Sequence, residues 1–274
     1  PPWRAGSPSA EKRASDIMKT ELPAGQPAAR ADDAPAPLTL IVGLGNPGSE
    51  YASHRHNVGF QIVEALANIH GLSFARHKKA KARVAGGQIG ERPVLLAKPQ
   101  AFMNLSGRTV LRLSREREIP PECILVVCDD LDLPLGRLRI RPQGGSGGHK
   151  GLRSIIELLG SQDFARLRIG IDRPAGNLDP AEYVLQPFAE EDKAIISESL
   201  DRAVEAVESW LADGIVAAMD RFNRPPPGAA GKARDEQRGA TGSEKERVET
   251  GERALLPLSP VPLHLPSGSQ ENST

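Results

Sequence analysis

The sequence lacks the bulk features that mark whole classes of protein. Its formal net charge is zero, with 35 basic and 35 acidic residues. A protein-wide attraction to nucleic acid is therefore excluded, and any basic site must be local. The two cysteines lie in one short apolar segment, residues 123–128, so they cannot form a disulfide framework. We therefore expect a reducing, cytoplasmic environment. That segment is also the longest apolar run, and it is far too short to span a bilayer.

The two ends of the chain have little apolar periodicity. Residues 1–37 are rich in Ala and Pro, and they carry five basic and five acidic residues. Residues 224–274 are rich in Pro, Gly, Ser and charge. Because such segments bury too little apolar surface to offset the entropy cost of ordering, we predict that both are disordered. One domain, residues 38–223, lies between them.

Within this domain, apolar runs alternate with amphipathic segments. Helices are predicted around residues 60–70, 105–114, 152–159 and 189–222, the last broken at Asp213 and Gly214. Alternation of strands and helices favours a three-layer α/β domain. The strands are predicted at residues 38–42, 83–89, 93–97, 123–128, 137–141 and 167–171.

A first glycine motif resembles a dinucleotide site only in its letters. Residues 43–48 spell G-x-G-x-x-G after a strand. Pro47 and Gly48 favour a turn where a helix should begin, and Glu64, the acid about twenty residues on, lies in a predicted helix. We do not expect a dinucleotide here.

A second glycine motif, residues 144–148, spells the G-x-S-x-G of a nucleophile elbow. No strand runs directly into Ser146, and His149 follows too closely to serve as its base. The motif therefore predicts a mobile glycine loop that leads into a helix and lets backbone approach a ligand.

Two histidines, His54 and His56, are the nearest approach to a metal motif. They supply at most two ligands, and no C-x-x-C or H-E-x-x-H pattern accompanies them. Because a catalytic zinc usually has three protein ligands, we expect no metal site.

Polar residues follow the predicted strand ends at several points. Asn46, His56 and Asp129 each do so, and ligands collect at the carboxyl ends of strands in open α/β sheets. These three residues can therefore share one cleft. Three of the polar candidates also have a purely structural explanation: Asn46 forms a turn, Asn104 caps a helix, and Asp129 binds loop backbone.

Taken together, five segments resemble bacterial-type peptidyl-tRNA hydrolase. The resemblance covers residues 38–222 and implies a single domain with a mixed, mostly parallel sheet. It also implies a monomer that hydrolyses the ester between peptide and tRNA, recycling tRNA from aborted translation. We expect neither a cofactor nor a metal. The segments are VGLGNPGSEYASHRHNVG (42–59), KPQAFMNLSG (98–107), DDLDLPLG (129–136), GGSGGHKGL (144–152) and FARLRIGI (164–171).

The resemblance also implies residue roles. His56 matches the catalytic histidine, which as a neutral imidazole takes a proton from the attacking water. Asp129 matches the acid that orients this ring. Asn46 matches the residue that distinguishes a blocked from a free amino group, and Asn104 a substrate-binding amide. The positions lining the cleft for the tRNA end and peptide are Tyr51, Phe102 and Met103.

The local distribution of basic residues agrees with an RNA substrate. Residues 137–173 carry eight basic and three acidic residues, and Arg141 and Arg168 match positions that hold a tRNA phosphate in the family. A second basic run, residues 76–83, either contacts the tRNA backbone or forms a solvated face.

The chain departs from the family pattern at three positions. Lys150 stands where many members have asparagine, and it is a candidate to bind a phosphate or a substrate carbonyl. His54 replaces a usual threonine. Cys128 replaces a frequent histidine and is expected to pack at the strand end.

Two alternatives to the hydrolase stay open. Some plastid relatives act in intron splicing, so the fold can serve RNA binding alone, although binding needs no general base. An unrelated esterase using Ser146 is the other alternative.

Overall fold

A computed structural model describes residues 36–174 and 176–225 of this chain. In this part, seven strands form one sheet. The strands are β1 (Thr39–Gly43), β2 (Ala75–His77), β3 (Ala82–Ile89), β4 (Arg92–Pro99), β5 (Ile124–Asp130), β6 (Leu138–Arg141) and β7 (Ala165–Gly170). Their order in the sheet is β2-β3-β4-β1-β5-β7-β6. Strands β3 and β6 run antiparallel to the other strands, so the sheet is mixed with a parallel centre.

Helices cover both faces of the sheet and complete three layers. One face packs against α1 (Val58–Ile69) and α5 (Lys193–Phe222), and the other against α2 (Ser106–Glu116) and α3 (Lys150–Leu159). A one-turn helix, α4 (Pro180–Tyr183), lies in the connection before α5. The predicted α/β fold class is therefore confirmed. No helix in the described ranges combines the length and apolarity needed to cross a membrane.

The central strands are buried between the two helical layers because their apolar side chains alternate between the two faces of the sheet. In β1, Leu40 and Val42 face α2 and α3, whereas Ile41 faces α1 and α5. Strand β5 lies between β1 and β7, and its residues from Ile124 to Cys128 are at most 1% exposed, as the continuous apolar run predicted.

The sequence prediction missed some elements and shortened others. Strand β5 continues through Asp129 and Asp130, which had been placed after it. Strand β2 and helix α4 were not predicted, because segments of three and four residues are too short to show a measurable periodicity. The predicted break at Gly214 is confirmed: its φ of 84° lies in the left-handed region and divides α5. The predicted disordered tails fall outside the described residues except at their inner ends, and they stay predictions.

The free edge of β6 is closed by a side chain rather than by another strand. The backbone N–H of Ile140 donates to Asn223 Oδ1 at 2.6 Å, and Asn223 Nδ2 donates to the Ile140 carbonyl at 3.1 Å. Ile140 is 2% exposed, so these backbone groups have little access to water. The amide of Asn223 therefore satisfies a donor and an acceptor that the sheet leaves open.

Replacing Asn223 by alanine tests this closure. We expect Asn223→Ala to lower the free energy of unfolding by about 1–3 kcal/mol, because two buried backbone groups lose their partner. Urea unfolding measures the change. As a control, Asn68→Ala on the exposed side of α1 should stay within about 0.5 kcal/mol of wild type. Equal stability of both variants would contradict the assignment.

Candidate active site

A cavity of about 640 Å³ opens at the carboxyl ends of β1 and β5. Three of its walls come from residues that follow β1, β4 and β5, which are neighbours in the sheet. A fourth comes from the glycine loop before α3. Polar and charged residues in its lining include Asn46, His56, Asn104, Asp129, Asp130, Ser146, His149, Lys150 and Arg168.

Two glycines bring His56 to this cavity. A Cβ built on Gly59 would lie 2.4 Å from the Val127 carbonyl oxygen, and one on Gly43 would lie 2.2 Å from the Gly59 carbonyl oxygen. The first turn of α1 therefore rests directly on the ends of β1 and β5. The 3₁₀ turn just before it, Arg55–Asn57, thus places His56 against the end of β5.

His56 and Asp129 form a close pair. His56 Nδ1 lies 2.8 Å and 3.0 Å from the two carboxylate oxygens of Asp129. A carboxylate only accepts hydrogen bonds, so His56 carries its proton on Nδ1. Its Nε2, for which the described residues provide no partner, lies in the cavity wall, and in the neutral ring it is a lone-pair acceptor.

A second histidine, His149, binds the same carboxylate. Its Nε2 lies 3.2 Å from Asp129 Oδ1. Its Nδ1 caps α3, accepting from the backbone N–H groups of Gly151 at 3.1 Å and Leu152 at 3.3 Å. Because Nδ1 is an acceptor, the proton must be on Nε2, and His149 is neutral and donates to Asp129.

From the sequence, His149 was considered only as a base for Ser146, and its contact with Asp129 was not predicted. The available signal was its place between the glycine loop and the helix predicted at 152–159, near where an N-cap lies. That signal predicts a cap but not the contact to Asp129, which is 20 residues away in the chain.

The ligand atoms of His56, Asp129 and His149 lie within 4.8 Å of one another, a spacing that a metal ion can also use. The His149 tautomer opposes this use. A metal on Nε2 would move the proton to Nδ1, where it would face two backbone N–H groups of α3. The geometry therefore suits a pair of hydrogen bonds better than a metal centre, and His54 is not part of the group.

Asp129 is ionised in this setting. Burial of the side chain, which is 3% exposed, opposes its charge, but His56 and His149 outweigh burial and hold the pKa of the carboxyl below its ordinary value. The neighbouring Cys128 is fully buried, and burial raises the pKa of its thiol, which agrees with a packing role.

Asn46 is buried in the wall between the cavity and a smaller polar one beside it. Its Oδ1 accepts from the Met103 backbone N–H at 3.0 Å, which fixes the direction of the amide. Its backbone N–H and carbonyl both bind the Asn57 side chain at 2.9 Å. The Nδ2 group, without a partner among the described residues, is the part of Asn46 that can bind a ligand.

Comparison with known proteins shows the family. The family model described as peptidyl-tRNA hydrolase matches residues 40–230. The peptidyl-tRNA hydrolase of Roseiflexus castenholzii is 53% identical over 191 residues, which are 69% of this chain and 89% of the relative. That of Chloroflexus aggregans is 50% identical over 187 residues, 68% of this chain and 99% of the relative. This chain belongs to the peptidyl-tRNA hydrolase family.

A solved structure agrees with this membership. The crystal structure of peptidyl-tRNA hydrolase from Acinetobacter baumannii has a TM-score of 0.65 and 38% sequence identity, covering 68% of this chain and 94% of that one. The resemblance deduced from the five sequence segments is confirmed, and all five lie within the residues that match the peptidyl-tRNA hydrolase family.

The structure brings most of the predicted substrate residues to the cavity. Met103 is buried in its wall, and Phe102, 64% exposed, lies at its mouth. Two do not reach it. Tyr51 packs edge-on against His54, with ring centroids 5.3 Å apart. Arg141 is exposed at the end of β6. The predicted lining also includes Asn104, Lys150 and Arg168, which do line the cavity.

Arginines from β7 hold the glycine loop in place. Arg166, 1% exposed, donates to the carbonyls of Gly144, Gly145, Gln162 and Phe164. Burial, and then the charge of Arg168, lower its pKa to about 10, so it is still a cation at neutral pH. Arg168 donates to Asp130 at 3.0 Å and to the Gly145 carbonyl at 2.9 Å. The carbonyls of Gly144 and Gly145, at the start of the loop, are therefore tied to β7. The mobility that the glycines of the loop suggested stays a prediction.

A third arginine, Arg55, ties the His56 turn to the segment after α4. Its guanidinium lies 4.1 Å from the Tyr183 ring centroid and donates to the Pro187 carbonyl. The backbone N–H of His56 donates to the Val184 carbonyl at 2.9 Å. Because Val184 lines the cavity, Arg55 fixes the position of His56 and of the opposite wall together. No local sequence pattern points to Arg55, since its partners are more than 120 residues away.

The lowered pKa of Asp129 predicts a dependence of stability on pH. A carboxyl whose pKa is lower in the folded than in the unfolded chain contributes stability above about pH 4, and this contribution is lost as the pH falls further. We expect the free energy of unfolding to fall more steeply from about pH 5 to pH 3 in wild type than in Asp129→Asn. Urea unfolding at each pH measures both slopes, and equal slopes would contradict an ionised Asp129.

Proposed function

We propose that this chain is a peptidyl-tRNA hydrolase that uses His56 to activate water. The observation that carries the proposal is the His56–Asp129 pair, with Nδ1 held at 2.8 Å and Nε2 left open at the cavity. A neutral imidazole in this orientation is a general base, and base assistance is worth about 10²–10⁴-fold in rate. Family membership supplies the substrate, an ester between a peptide and the terminal ribose of tRNA.

In the proposed reaction, Nε2 takes a proton from water while the water oxygen bonds to the ester carbonyl carbon. The carbonyl oxygen becomes an oxyanion, which the amide of Asn104 stabilises. The bond to the ribose oxygen then breaks, and the imidazolium returns the proton to that oxygen. Asp129 stabilises the imidazolium without taking its proton, and His149 acts as a positioning residue for Asp129. The products are a free peptide acid and tRNA with its terminal hydroxyl.

The size and lining of the cavity agree with the end of a tRNA rather than its stem. A volume of about 640 Å³ is typical of small-ligand sites, so only the single-stranded end enters. The exposed ring of Phe102 offers a surface on which an adenine stacks. Lys150, at the start of α3, and Arg168 supply cations for the phosphates, and Arg168 would exchange Asp130 for a phosphate. Arg141 would bind backbone outside the cavity.

An RNA-binding module is the second candidate, but the two histidine–carboxylate hydrogen bonds favour the enzyme. Binding alone has no need of a buried, oriented base, and burying a carboxylate is costly unless it is paired. The cytoplasmic location, the monomeric state and the absence of a cofactor stay predictions.

Hydrolysis of N-acetyl-aminoacyl-tRNA by His56→Ala tests the proposal. We expect turnover to fall by about 10²–10⁴-fold, while tRNA affinity stays near that of wild type, because the base is lost but the phosphate contacts remain. As a matched control, His70→Ala, directly after α1, removes a histidine that pairs with Glu208, away from the cavity, and should turn over normally. Normal turnover by His56→Ala would refute the mechanism. If His56→Ala keeps its activity while Ser146→Ala loses activity, the esterase alternative is favoured.

Asn46→Asp tests how the enzyme distinguishes peptidyl-tRNA from aminoacyl-tRNA. The aspartate keeps the acceptor for the Met103 N–H but replaces the Nδ2 donors with an oxygen. We expect the preference for N-acetyl-aminoacyl-tRNA over aminoacyl-tRNA to fall by about tenfold, the value of one hydrogen bond. The ratio of the two kcat/KM values measures it. An unchanged ratio would show that Asn46 does not read the acylated amine.

A further inference from the structure

Five basic side chains lie in and beside the turn between β2 and β3, and this group of residues is called the basic turn. All five are exposed, and the turn itself spans residues 78–81. Since β2 runs parallel to β4 and β1, this turn lies at the same edge of the sheet as the active-site cavity. The basic turn consists of Arg76, Lys78, Lys79, Lys81 and Arg83.

The backbone of the basic turn is anchored to the cavity wall. The N–H of Gln100 donates to the Lys81 carbonyl at 2.7 Å, and the Thr109 hydroxyl donates to the Ala80 carbonyl at 2.9 Å. Ala80 is 4% exposed and packs in the core. Gln100 lies only two residues before Phe102 at the cavity mouth. The backbone that carries the basic side chains is therefore held by hydrogen bonds, and one of them comes from the segment that leads to the substrate site.

None of the five cations forms an ion pair with an acidic side chain in the part of the chain that the structure covers. By contrast, Arg168, Arg173, Lys193 and Arg221 are each paired with a carboxylate. A chain with zero net charge thus leaves a concentrated positive surface beside its cavity. Such a surface attracts a polyanion.

The backbone of Lys81 adds an independent observation. Its φ is 49°, in the left-handed region that glycine or asparagine adopts more easily than lysine. A lysine therefore occupies a position where local conformation favours another residue. Replacing it with asparagine should not cost stability, so charge and backbone effects can be separated at this position.

We propose that the basic turn binds the phosphate backbone of the substrate tRNA, away from its single-stranded end. This deepens the proposed function and rests on it for the substrate. Five sheet positions separate β2 from β7, on the order of 25 Å at the usual strand spacing. The basic turn and Arg168 consequently contact different phosphates on opposite sides of the cavity. Contacts to phosphate read no sequence, which suits an enzyme that serves many tRNAs.

The test is the salt dependence of tRNA binding by the triple variant Lys78→Gln, Lys79→Gln, Lys81→Asn. We expect the slope of log Kd against log salt to fall by about 2–3, since each lost phosphate contact removes about 0.7–0.9. Affinity at low salt should fall at least about tenfold, and KM for N-acetyl-aminoacyl-tRNA should rise while kcat stays unchanged. A matched control removes the same charge from exposed positions in and after α5: Lys193→Gln, Arg221→Gln and Arg224→Gln.

Each outcome supports or overturns the proposal. Wild-type slope and affinity in the triple variant would overturn it, and so would an equal loss in the control, which indicates a net-charge effect. If the triple variant unfolds, Lys81→Asn alone decides, with an expected slope change of about 1. Hydrolysis is scored separately on wild type. Turn-dependent tRNA binding without hydrolysis would refute the proposed function alone, and hydrolysis with an unchanged KM in the triple variant would refute the basic turn alone.

Discussion

The Asp129 carboxylate, which accepts a hydrogen bond from each of two histidines, is the interaction on which the site depends. A buried carboxylate costs several kcal/mol unless it is paired, and each charge-assisted hydrogen bond returns about 1.5–3 kcal/mol. Both donors are therefore needed to keep it ionised at 3% exposure. Because both donors must carry a proton toward Asp129, the carboxylate also fixes the tautomers of His56 and His149. One buried charge thus determines which nitrogen of His56 faces the cavity.

The partners of Asp129 are in turn held by arginines. Arg55 fixes the turn that carries His56, and Arg166 and Arg168 fix the glycine loop that leads to His149. A guanidinium has five donors in one plane, so a single side chain can satisfy several carbonyls of an irregular loop. The loops around the cavity consequently have fixed backbone even though they contain little regular structure. This suits a reaction in which the geometry between base and carbonyl must be set before substrate arrives.

The sequence predicted the central strands and the cavity at their ends well, but it did not predict the side-chain contacts between distant segments. Apolar alternation and the run ending at Cys128 determine β1 and β5, and those two strands bring Asn46, His56 and Asp129 together. Tyr51 follows β1 and Arg141 ends the edge strand β6, yet neither reaches the cavity. The Tyr51 ring packs against His54 instead. The contacts of Arg55 and of His149 to Asp129 join distant segments, so no local pattern encodes them. The glycine motif at residues 144–148 likewise gave no sign that buried Arg166 binds the carbonyls of Gly144 and Gly145.

The amide of Asn223 has a further consequence for how these molecules behave toward one another. Strand β6 ends the sheet, and an open edge strand is a template on which a strand of another molecule can add. By binding both backbone groups of Ile140, Asn223 removes that template without adding a strand. A chain truncated before residue 223 would leave the backbone groups of Ile140 unpaired at the sheet edge. Such a chain would self-associate through β6, even with every residue of the cavity in place.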